Sequence, residues 1–162
     1  MRTTPASLTT IARSVDDRLA ALLESETARW GSFDADLVVP IREIGRLVLA
    51  GGKRLRPAFC YWGFVGSGGD ARSTTVIDAG GALELLHAFA LFHDDVMDEA
   101  DTRRGVDTVN AKWGNLQAIL AGDFLLSRAS EIAASLGTEV AGLLARTIGR
   151  LCEGQIEELR HT

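Results

Sequence analysis

The feature that most limits how this chain can fold is a helical period that hardly breaks. Apolar residues recur at spacings of three and four through Leu8, Ile11, Val15, Leu19, Leu22 and Leu23, and again through Val38, Val39, Ile41, Ile44, Leu47 and Val48. Residues so spaced share one face of an α-helix, which must be buried against something else. No stretch sustains the alternation of a half-buried strand, and only 3 prolines interrupt 162 residues. The expectation is one layered all-α domain with no internal repeat.

Punctuation divides the pattern into six helices. The first runs from Ala6 to about Trp30, and the second starts at an Asp34 or Asp36 cap and stops at Gly51-Gly52. Pro57 suits the first turn of a third, which carries Phe59, Tyr61, Trp62 and Phe64 into a Gly66–Asp70 loop. A fourth spans about Thr74 to Asp98, a fifth Val109 to Leu136, and a sixth begins near Thr138. Gly80, Gly81, Gly114 and Gly122 fall inside the fourth and fifth. Each lowers helix propensity by about 1 kcal/mol relative to Ala, which suggests close helix contacts.

Composition bounds the function. With 46% apolar and 24% charged residues, the chain reads as globular. No apolar run is expected to cross a bilayer and no signal segment opens the chain, so a cytoplasmic protein is expected. A net charge of −5 argues against nucleic acid, although Lys53, Arg54 and Arg56 concentrate positive charge in one place. Cys60 and Cys152 sit in helical apolar patterns without metal-ligand spacing, and are expected to be buried reduced thiols.

The chemistry concentrates between His87 and Gly105. Asp94, Asp95 and Asp98 form a DDxxD cluster, with Arg103 and Arg104 just beyond. Asp94 and Asp98 share a helix face and Asp95 lies beside them, so the three repel unless a cation intervenes. An all-oxygen set suits a hard ion such as Mg²⁺, whose shell phosphate oxygens readily complete. Guanidinium forks grip phosphate in pairs, so carboxylates, cation and arginines together describe a diphosphate clamp. Glu84, His87, Leu91, Asp94 and Asp98 fall on one helical stripe, which joins His87 to the aspartates; His93 lacks that support.

HDDxxDxxxxRRG resembles the first aspartate-rich motif of the trans-isoprenyl diphosphate synthases, or polyprenyl synthetases. Gly51-Gly52-Lys53-Arg54-Leu55-Arg56-Pro57 resembles the GGKRLRP phrase of that family, and residues 118–126 resemble a third phrase, all in family order. The resemblance implies the N-terminal part of an isoprenoid synthase-type helical bundle, with residues 1–162 as one portion of a single domain. It implies a Mg²⁺-dependent prenyltransferase that joins isopentenyl diphosphate to an allylic diphosphate (dimethylallyl, geranyl or farnesyl), working as a homodimer. Asp94 and Asp98 would ligate Mg²⁺, with Asp95 in support. Arg103 would hold the allylic diphosphate, and Lys53, Arg56, His87 and Arg104 the isopentenyl diphosphate. Phe89, five residues before Asp94, resembles an aromatic floor for a short product of C20, with C15 next.

Departures accompany the match. Asp107 and Asn110 stand where the family usually has Pro and His, which puts the rigidity of that loop in question. Gln155 resembles the start of a GQxxD phrase, with Glu158 where Asp is common. The stripe of the sixth helix runs without a stop signal to His161-Thr162, so a piece of a longer polypeptide is expected, lacking a second aspartate-rich motif and inactive alone. The apolar stripes of the fourth and sixth helices are expected to lack partners. Other readings are an HD-type metal phosphohydrolase using His87, His93 and Asp94, a class I terpene cyclase, and a non-catalytic or dimerisation subunit.

Overall fold

A computed structural model describes residues 6–103 and 105–161. Helix α1, Leu8–Gly31, starts at Ser7, whose hydroxyl accepts from the Thr10 backbone N–H. A 3₁₀ turn over Ala35–Leu37, capped by Asp34, leads into α2, Val38–Leu49, and then α3, Leu55–Gly66. The central helix α4 spans Thr75–Met97. Beyond it come a two-residue antiparallel hairpin, β1 Thr102–Arg103 on β2 Val106–Asp107, and helices α5 Val109–Trp113, α6 Asn115–Ser135 and α7 Thr138–Leu159.

The all-α expectation holds, with two local corrections. The hairpin interrupts it, and the fifth predicted helix is two helices. Gly114 takes φ 87°, a left-handed conformation that ends α5 and turns the chain into α6. Gly114 therefore marks a break and not a close contact. Gly80 does mark one: a Cβ there would lie 3.0 Å from Pro57 Cβ and 3.3 Å from Val15 Cγ2. Gly122 marks another, beneath the His93 ring, while Gly81 has only ordinary contact with Leu19 at 3.7 Å.

Helix α4 packs against α1, α3 and α6, so its residues are apolar on several faces. Val76, Ala82, Leu85 and Leu86 join Ile11, Val15 and Leu19 of α1, Ala58 and Tyr61 of α3, and Leu125 and Ala129 of α6 in one core. Each large aliphatic side chain fully buried there contributes about 1.5–3 kcal/mol. Contrary to the sequence expectation, α4 is long and apolar enough to cross a membrane by length and composition. Its burial by three neighbours accounts for that composition. The same packing corrects the expectation that the stripe of the fourth helix lacks a partner. Of the last stripe, Leu151, Ile156 and Leu159 are exposed as expected, whereas Leu144 and Ile148 pack on the core; Leu143 of α7 and Leu116 and Leu120 of α6 are exposed as well. Cys60 is half-buried and Cys152 exposed, which corrects the expectation that both are buried; both are free thiols.

Candidate active site

The basic loop between α2 and α3 is tied down by its middle arginine. Arg54 adopts φ 48°, ψ 39°, and its side chain turns inward until the residue is 6% exposed. Its Nε donates to Asp16 Oδ1 at 2.8 Å, Nη1 to Glu84 Oε2 at 2.7 Å and Nη2 to the Val48 carbonyl at 3.0 Å. Loop, α1, α2 and α4 thus meet at one guanidinium. Removing one partner of a buried pair of this kind destabilises by about 3–5 kcal/mol. The positive charge expected to gather at Lys53, Arg54 and Arg56 is therefore divided: Arg54 is neutralised in the interior, while Lys53 and Arg56 are exposed.

Lys53 and Arg56 open onto a cleft of about 600 Å³. Its opposite wall carries His87, Leu91, Phe92 and Asp95 of α4, closed by Arg103 and Val106 of the hairpin. Sequence positions as far apart as Lys53 and Val106 are brought to one cavity, apolar along α4 and charged at both ends. The stripe predicted to run from Glu84 and His87 into Asp94 reaches the cleft through Asp95 instead. Asp94 and Asp95 straddle the Leu91 direction, and the cleft lies on the Asp95 side. Asp98 is exposed at the C-terminal cap of α4.

Arg103 bridges two carboxylates, donating from Nε to Asp95 Oδ1 at 2.7 Å and from Nη2 to Asp94 Oδ2 at 3.0 Å. The other Asp94 oxygen accepts from Gln155 Nε2 at 3.0 Å, across from α7. Burial pushes the Asp95 carboxyl above the usual aspartate range; Arg103 opposes this, while Asp94 and Asp98 add to it. Burial would lower the Arg103 guanidinium, yet its bonds to Asp95 and Asp94 raise it, so it stays charged. Gln155 was singled out only by a partial phrase; its contact with Asp94 could not be read from either helix alone. Arg104, predicted to hold diphosphate, lies outside the described residues.

The two substituted loop positions are structural. Asn110 Nδ2 donates to the carbonyls of Asp95 and Ala100 at 3.4 and 3.0 Å, and the Thr108 hydroxyl donates to Ala100 at 2.7 Å. Asp107 pairs with Thr102 in the hairpin. Together they supply the rigidity that the missing Pro and His put in question, and they fix the strand that carries Arg103.

Phe89 and His93 face away from this cleft, toward α6. Their rings meet in a tilted contact, centroids 4.6 Å apart and planes at 59°, and the Nε2 atom of His93 lies 3.0 Å from the Ile119 carbonyl. His87 lines the cleft and His93 the α4–α6 seam, so the metal phosphohydrolase reading loses its shared ligand set. Among the described residues, no three His, Cys, Asp or Glu side chains converge tightly enough to hold a metal. The donor chemistry of Asp94 and Asp98 still fits a hard cation, provided other oxygens complete the shell and the Arg103 and Gln155 bonds to Asp94 give way.

Known proteins supply an independent comparison. The polyprenyl synthetase family profile matches residues 40–162. The chain is 49% identical over 146 residues to nonaprenyl diphosphate synthase of Mycobacterium tuberculosis, covering 90% of this chain and 41% of that protein. It is 46% identical over 115 residues to geranylgeranyl diphosphate synthase of Methanosarcina mazei, covering 67% of this chain and 35% of that one. A crystal structure of geranylgeranyl pyrophosphate synthase from Corynebacterium glutamicum, complexed with isoprenyl diphosphate and magnesium, superposes with a TM-score of 0.74. It is 30% identical and covers 82% of this chain and 43% of that one. The chain spans less than half the length of each of these relatives. From helical fold, ordered motifs and family profile alike, it belongs to the polyprenyl synthetase family of trans-isoprenyl diphosphate synthases.

Proposed function

We propose that this chain is the N-terminal portion of a single polyprenyl synthetase domain and provides the diphosphate-binding cleft of a prenyltransferase. The observation that carries the reading is the cleft itself, where Lys53 and Arg56 face an α4 wall of His87, Leu91, Phe92 and Asp95 closed by Arg103. In the reaction, the allylic C–O bond breaks with its electron pair leaving on diphosphate. The double bond of isopentenyl diphosphate attacks the carbocation, and a proton is lost from the adduct. Lys53, Arg56, His87 and Arg104 hold the diphosphate of the nucleophilic substrate, and Arg103 turns its fork to the departing one. Asp94 and Asp98, with Asp95 in support, would hold Mg²⁺, which would supply charge to neutralise the departing diphosphate. The apolar wall excludes water, which strengthens each of these charge interactions several-fold over its value in water.

The product reading is C20, with C15 next, and it rests on Phe89. That ring sits at the α4–α6 seam beside His93 and Gly122, on the side of α4 away from the cleft. The reading includes a homodimer in the cytoplasm, with Leu116 and Leu120 as contact candidates. Calorimetry with isopentenyl diphosphate tests the cleft: binding should occur and weaken about tenfold in Lys53→Ala and in Arg56→Ala, the loss expected of one charge-assisted bond. Equal affinity in both variants refutes it. Phe89→Ala in a full-length form should lengthen the product, and an unchanged length removes Phe89 as the floor.

A further inference from the structure

The proposed substrate contacts leave the most buried cation near the cleft without a part in the chemistry. Arg54 sits between Lys53 and Arg56 and touches the same cleft, yet its side chain is buried where theirs are exposed. Its φ of 48° is strained for a residue with a Cβ, and it comes two residues after the pair Gly51-Gly52, both also at positive φ. Strain of this kind persists only where the surroundings over-determine it. Here three elements do so: Asp16 on α1, the Val48 carbonyl ending α2, and Glu84 on α4. Glu84 lies one helical turn before His87, so the same ion pair that fixes the loop also references it to the turn that carries His87 to the cleft.

We propose that Arg54, through Glu84 and Asp16, is the positioning residue of the basic end of the cleft, holding Lys53 and Arg56 in register with His87 before any diphosphate arrives. The functional part of this proposal rests on the diphosphate reading of the cleft; the anchoring part does not. The geometry leads to it directly. Inverting the Arg54 backbone sends its side chain inward while its neighbours on both sides stay at the surface, so one buried group sets the direction of two exposed ones. A guanidinium is needed because three acceptors lie at three of its nitrogens; an ammonium reaches one of them well. A loop without this tie would have to be ordered at the moment of binding, and fixing the backbone of even one residue weakens affinity by about tenfold.

Two variants separate positioning from stability. Arg54→Lys keeps the charge opposite Glu84 and loses the fork. The double variant Arg54→Met/Glu84→Met replaces the buried pair by apolar side chains of similar size, an exchange that cores commonly tolerate. The chain has two lysines, Lys53 and Lys112, so a lysine-specific endoprotease reads the loop directly, with Lys112 in α5 as the internal reference. The double variant should be cleaved after Lys53 about tenfold faster than the unaltered chain, with Lys112 unchanged; Arg54→Lys adds a cleavage site of its own at position 54 and is read by binding alone. An NMR titration with inorganic pyrophosphate should show about tenfold weaker binding in both variants, while urea unfolding of the double variant stays cooperative. Unchanged cleavage after Lys53 in the double variant overturns the anchor, and faster cleavage with unchanged pyrophosphate affinity overturns the positioning role. If the unaltered chain does not bind pyrophosphate, or binds it equally well as Lys53→Ala, the diphosphate reading fails and the cleavage rate alone decides the anchor.

Discussion

Replacing Gly122 by Ala should destabilise the chain although it improves the helix. In the interior of α6 the substitution adds about 1 kcal/mol of helix propensity. The new Cβ, however, would overlap the His93 ring at Cδ2 and Nε2 and stand 3.4 Å from the Phe89 ring. The imidazole has to leave its place beside the Ile119 carbonyl, losing a bond of about 0.5–1.5 kcal/mol. Overpacking of the Phe89–His93 pair adds about 1–3 kcal/mol. The net is a loss of about 1–3 kcal/mol, or a fall in Tm of several degrees at about 3 °C per kcal/mol for a chain of this size. Gly154→Ala in α7 is the control, since nothing lies within 4 Å of its added Cβ, and it should gain about 1 kcal/mol. Urea unfolding of both variants beside the unaltered chain measures the difference. In the double variant His93→Ala/Gly122→Ala the obstruction is gone, so it should be more stable than His93→Ala alone. A Gly122→Ala chain as stable as its parent refutes the reasoning, because the seam would then have slack that its packing denies.

Mg²⁺ should raise Tm only with a diphosphate present, and Asp94→Ala or Asp98→Ala should abolish that rise; a rise left intact in both removes the metal assignment. Arg103→Lys should weaken pyrophosphate binding about tenfold through loss of the fork, and equal affinity by calorimetry would contradict it. Burial alone would push the Glu26 carboxyl up, but Arg29, Arg128 and Trp30 hold it below the ordinary value of 4.5. A depressed carboxylate contributes stability that is present above 4.5 and lost as pH falls through the folded-state value. Glu26→Gln should therefore cost about 1–3 kcal/mol at neutral pH and flatten the acid limb of a stability–pH curve; an unchanged limb contradicts it. Burial raises the Cys60 thiol, so Cys152 should react first with a thiol reagent, and equal rates would overturn that order.

Helix bounds were legible where local chemistry sets them. Asp34, one of the two cap candidates, caps the 3₁₀ turn that leads into α2, and Gly66 ends α3 where the loop residues begin. Gly114 misled because a glycine inside an unbroken apolar pattern reads alike whether it admits a neighbour or inverts the backbone; only its φ distinguishes the two. The members of the candidate site were visible as residue types at known spacings, but their partners were not. Arg54 in a basic run looks solvated, and nothing local shows that Glu84, 30 positions later, takes it into the interior. Similarly, the choice of Asp95 over Asp94 for the cleft depends on where the hairpin and α7 lie, which is long-range information absent from the period of α4.

Arg103 gives the acidic cluster a counter-ion of its own. Because both oxygens of Asp94 are already bonded, a divalent ion at the proposed site would bind by exchange with Gln155 and with a guanidinium still tethered to the hairpin. Losing its carboxylates leaves that guanidinium in need of an anion; an anion that captures it first leaves Asp94 and Asp95 in need of a cation. Each binding event thus lowers the free energy of the other by the same amount, as linkage requires. A site wired in this way discriminates against either ion arriving alone. Its affinity for a metal–diphosphate complex would then exceed what separate titrations of the metal and the diphosphate add up to.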